Sequence, residues 1–116
     1  MKNADIILNE MELDSEMIFE LEKAQVARSA GNEGMTRVCA RRAAGMAARD
    51  FLTRHGVRSC RDSAYDSLRK LAAFSGLPAE LTQAAAYLTL RVNVEFGLPE
   101  NIDLISEARK LIGGLS

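Results

Sequence analysis

The chain contains no tryptophan, and its two tyrosines and four phenylalanines offer too little flat aromatic surface for a base-stacking platform on single-stranded nucleic acid. Histidine is nearly absent too: His55 stands alone, so no cluster of imidazoles is available to a metal. The two cysteines, Cys39 and Cys60, lie neither in a Cys-x-x-Cys pair nor beside other ligand residues. This spacing indicates neither a zinc site nor a disulfide framework. Both read as free thiols of a reducing cytoplasm, and no metal or cofactor is expected. No run approaches the roughly 18 apolar residues of a membrane span, and the first residues, Met1 to Glu10, lack the apolar core of a secretory signal. The expected location is cytoplasmic, with no membrane partner.

With 116 residues, 47% of them hydrophobic and 27% charged, the chain fits one globular domain spanning 1–116 that needs no staple to fold. Its net charge of −1 hides a strong segregation. Residues 1–22 hold seven acids and one base, residues 23–70 eleven bases and four acids, and residues 71–116 three bases and five acids. Two readings follow: a basic stripe that attracts phosphate, or an acidic first helix lying against a basic second one and neutralising it.

Apolar residues recur at helical spacing from about residue 14, and glycine, proline and asparagine punctuate the segments. The pattern predicts an all-α, up-and-down antiparallel bundle of four to five helices joined by short connections. The first helix is capped by Asp14 or Ser15, turns Met17, Leu21 and Ala24 with Ile18 and Phe19 to an apolar face, and ends at Gly31. Residues 1–12 then form a flexible or docking segment, with Ile6, Ile7 and Leu8 as its apolar contacts. Asn32 caps a second helix over 34–55. Ser63 and Asp66 resemble a capping box ahead of a third helix, Pro78 opens a fourth over 79–96, and Asn101 caps the last.

Winding the second helix at about 100° per residue gathers Ala40, Ala43, Ala44, Ala47, Ala48 and Phe51 into a packing seam, with Arg42 and Arg49 together on another side. Arg42 and Arg49 are therefore the candidate phosphate-binding residues, as guanidinium forks; salt bridges to the acidic first helix are the structural alternative. The segment Gly31-Asn-Glu-Gly34 has neither P-loop nor Gly-x-Gly-x-x-Gly spacing and follows no strand, so it reads as a turn. His55 is the one side chain suited to proton transfer near neutral pH, but no nucleophile is placed beside it by motif. Glu16, Glu20 and Glu95 read as solvated carboxylates, not a catalytic pair.

The turn Ser29-Ala-Gly-Asn32, the run from Val38 to Leu52, the segment Leu68-Arg-Lys-Leu-Ala72, the stretch Gly76 to Leu81, and Pro99 with Glu107-Ala108 together resemble the HEPN (higher eukaryotes and prokaryotes nucleotide-binding) family over about residues 14–115. The resemblance implies a helical bundle, commonly a homodimer, acting beside a small nucleotidyltransferase or as an RNA-cleaving toxin. Ribonuclease members carry an arginine and a histidine separated by four to six residues on the fourth helix. Here Arg91 to Gly97 and everything after it contain no histidine, and Arg49 to His55 has that spacing at the end of the second helix instead. The expectation is a non-cleaving accessory module that binds a partner protein, a nucleotide or RNA. The alternative is a metal-independent toxin–antitoxin ribonuclease with Arg49 and His55 as catalytic residues.

Overall fold

A computed structural model describes residues 2–59, 61–90 and 102–116, with side chains from Asp14 onward. These residues fold as α1 (Lys2–Ser29), α2 (Glu33–Arg54), α3 (Ala64–Ala72), α4 (Ala79–Leu88) and α5 (Leu104–Leu115), and no strand occurs among them. The all-α expectation is met. The helices differ widely in length: α1 has 28 residues and α2 22, whereas α3, α4 and α5 have 9, 10 and 12. The molecule is a long α1–α2 hairpin onto which three short helices pack, with α2 touching each of the other four.

The helix ends follow from local chemistry. Gly31, at φ 76°, takes the left-handed position after α1, and the Asn32 amide donates back to Ala27 at 2.8 Å. Asn32 then caps α2 by accepting from Met35 N at 3.1 Å, Ser63 caps α3 from Asp66 N at 3.1 Å, and Asp103 caps α5 from Ile105 N and Ser106 N. Three expected boundaries move. No cap acts at Asp14 or Ser15, because α1 already runs from Lys2 and meets no glycine or proline before Gly31. Pro78 is the cap of α4 and not its first turn, and α4 closes by 88. The α5 cap is Asp103, whose carboxylate reaches two amides. The expected end of the fourth helix and Asn101 fall outside the described residues, as do the side chains of Ile6, Ile7 and Leu8.

The alanine seam is the centre of the core. Ala40, Ala43, Ala44 and Ala48 are fully buried, with Ala24, Ala84, Ala85 and Ala108 opposite and Leu68, Leu71, Leu88, Ile105 and Leu111 filling the remaining space. Small side chains let helices approach closely, so shape carries much of the fit. The closest approach is at Gly45: a Cβ there would stand 2.5 Å from Ala64 Cβ and 2.7 Å from Ala64 Cα. Gly45 therefore lets the first residue of α3 sit directly on α2. On α1, Met17 and Ala24 are buried as expected, but Ile18, Phe19 and Val26 lie more than half exposed.

Candidate anion-binding site

Docking of Ala64 on Gly45 fixes where the α2–α3 connection runs, and this connection carries most of the molecule's notable chemistry. Gly56, at φ 79°, turns the chain out of α2, and the Val57 amide returns to Leu52 O at 2.8 Å. Ser59 is buried and its hydroxyl donates to Arg49 O at 3.3 Å, while the Asp62 amide closes a turn onto Ser59 O at 3.0 Å. Arg49 reaches across from α2 and donates through Nη2 to the Asp62 carbonyl. Its Nε is buried without an acceptor among the described residues, which leaves a buried cationic donor beside the loop.

Above this support the loop and α3 border an open cleft of about 560 Å³, lined by Arg58, Ser59, Arg61, Asp62 and Lys70. Arg58 and Arg61 are exposed. Lys70 is held at the cleft by its Nζ, which donates to Arg58 O at 2.8 Å and lies 2.7 Å from Asp62 Oδ2. That second contact is a close ion pair poorly aligned for a hydrogen bond. Three cations against one carboxylate leave the cleft walls at +2, with the Arg49 guanidinium beneath them. Phosphate oxygens fit such a surface: guanidinium forks donate in pairs and an ammonium adds a point charge.

The residues singled out in the sequence separate in space. Arg49 supports the cleft. Arg42 is exposed and makes no ion pair among the described residues. Neither arginine pairs with a described acid of α1; Glu20 there is held by Lys23 at 3.0 Å, and Arg28 bonds Asp103 of the α5 cap at 2.9 Å. His55 lies at the C-terminal cap of α2, with Nδ1 2.8 Å from Phe51 O. Its ring stacks on Phe51 at 4.0 Å and meets the Phe74 edge at 5.5 Å. Six helical residues put His55 about 120° around the axis from Arg49, and the two side chains engage different partners.

Cys39 is a free, fully buried thiol. Burial pushes its pKa up, and the carboxylate of Glu20 beside it acts in the same direction, so it stays protonated and is a poor nucleophile. Cys60 is outside the described residues. Among the described residues no group of three or more His, Cys, Asp or Glu side chains is placed to hold a metal ion, and no helix is long and apolar enough to cross a membrane.

Arg58, Arg61 and Lys70 were not singled out by sequence reasoning. The available signal was the pair Arg58-x-x-Arg61 in a connection between two helices, where a turn gathers side chains that helical winding does not relate. No protein-family model, curated protein or solved structure matches the chain.

Proposed function

We propose that the protein is a non-catalytic binding module that takes a phosphate-bearing ligand in the cleft of Arg58, Arg61 and Lys70, with Arg49 bracing the loop. The observation that carries this reading is the cleft's excess of cations, three against the one carboxylate of Asp62. An accessory role of the HEPN type, with a nucleotidyltransferase partner or a second copy of the chain, belongs to the same proposal. Its support is the set of apolar side chains that α1 and α2 leave exposed: Ile18, Phe19, Val26, Met35 and Val38. A ribonuclease needs Arg49 and His55 on one scissile phosphate, and their divergence around α2 weighs against it.

Thermal unfolding with inorganic pyrophosphate, ATP and adenosine tests the ligand class. The expected result is a rise in Tm with pyrophosphate and ATP that is absent with adenosine and lost in Arg58→Ala/Arg61→Ala. Arg42→Ala, measured alongside, separates this cleft from the outer face of α2. An unchanged Tm with both phosphates removes the proposal.

A further inference from the structure

A second cleft, of about 240 Å³, opens where α1, α2 and α5 meet, away from the α2–α3 loop. Its floor is apolar: Met17, Ala47 and Leu115 are nearly fully buried, and Ile112 joins them at the edge. The polar lining of interest is unequal in charge, with the carboxylates of Asp14 and Asp50 against the guanidinium of Arg54. Arg54 is already engaged, Nε with Asp50 Oδ2 at 3.0 Å and Nη2 with the Leu115 carbonyl at 2.9 Å. Asp14 makes no ion pair among the described residues. The neutralised Asp50–Arg54 pair thus leaves one carboxylate over a small hydrocarbon pocket.

We infer that this cleft binds a small amphiphilic amine, its ammonium group on Asp14 and its hydrocarbon end on Met17, Ala47 and Leu115. Size restricts the ligand, since the volume falls below the roughly 300 Å³ at which sites for drug-sized molecules begin. Charge restricts it further. A carboxylate ligand would face Asp14 and compete with Asp50 for Arg54, whereas an ammonium meets an acid that pairs with no cation among the described residues. The hydrocarbon end gains by leaving water, and the ammonium stays at the rim, where pairing is modest but decides between ligands of one shape.

The test uses 3-methylbutylamine, the isosteric 3-methylbutanol and 3-methylbutanoate, titrated at neutral pH into the full chain labelled with ¹⁵N. The amine is expected to shift the amide signals of Met17, Ala47 and Leu115. The alcohol should bind about threefold more weakly or worse, the carboxylate more weakly still, and Asp14→Asn should reduce the amine to the level of the alcohol. Asp14 is exposed, so its substitution leaves the core intact, and an unchanged circular dichroism melt confirms folding. Equal binding of amine and alcohol, or no shift at those three amides at tens of millimolar amine, overturns the inference.

Discussion

Gly45 has the most exposed consequences of any single residue. In a helix interior glycine is about 0.5–1 kcal/mol worse than alanine, so Gly45→Ala would stabilise α2 if space allowed. It does not: the new methyl would stand 2.5 Å from Ala64 Cβ and 2.7 Å from its Cα, a backbone atom. The expected outcome in urea unfolding is a net loss of about 1–2 kcal/mol as α3 is forced off α2. Gly113→Ala meets nothing within 4 Å in the last turns of α5 and should be neutral or stabilising by about 0.5 kcal/mol. If both substitutions behave alike, close contact at Ala64 does not determine how α3 seats. Residue identity alone shows a glycine in an alanine-rich helix; that it is a point of contact depends on a partner nineteen positions later, which no local pattern encodes.

Among the elements, the start of α5 is tied to the end of α1 by one acid with two tasks. Asp103 caps α5 and binds Arg28 near the end of α1 at 2.9 Å. The hydrogen bond from Arg28 holds its carboxyl below the usual carboxylate range, against an opposing effect of burial. A depressed folded-state pKa contributes stability that is present above the unfolded value of about 3.9 and is lost as pH falls through the lower folded value. Asp103→Asn keeps capping ability but removes the charge. It should therefore lower Tm by a few degrees at pH 7, a small effect because the pair is about half solvated. The gap should narrow below pH 4, and a gap independent of pH would contradict the linkage. The helices themselves were legible in the sequence, because Gly31, Asn32 and Ser63 act through amides only a few residues away. The start of α1 was not: Asp14 and Ser15 are good capping types, but capping chemistry needs a chain that turns there, and nothing before Gly31 makes it turn.

For the whole molecule, charge segregation was visible in the sequence while its use was not. Within the basic block from 23 to 70, Lys23 pairs with Glu20 one turn away on α1, but the arginines of α2 pair with no described acid of α1; several are engaged by carbonyls, as with Arg41 on Leu88 O, or in local pairs, as with Arg54 on Asp50. Others gather at the cleft between α2 and α3. Helical winding puts Arg42 and Arg49 on one side of α2, but of the two it is Arg49 that reaches the α2–α3 turn, while Arg42 stays exposed. The loop cations escaped notice because their proximity is made by Gly56, Gly45 and the seating of α3, three features remote from one another in the sequence.

The claim that this cleft is an anion site is tested most directly by calorimetric titration of pyrophosphate at low salt into the wild type, Arg58→Ala/Arg61→Ala and the control Lys110→Ala, which removes an exposed cation of α5. The account predicts saturable binding by the wild type and the control, weakened about tenfold or more in the double variant and falling as salt rises. Equal affinity in all three proteins, or no heat of binding in any, would contradict it.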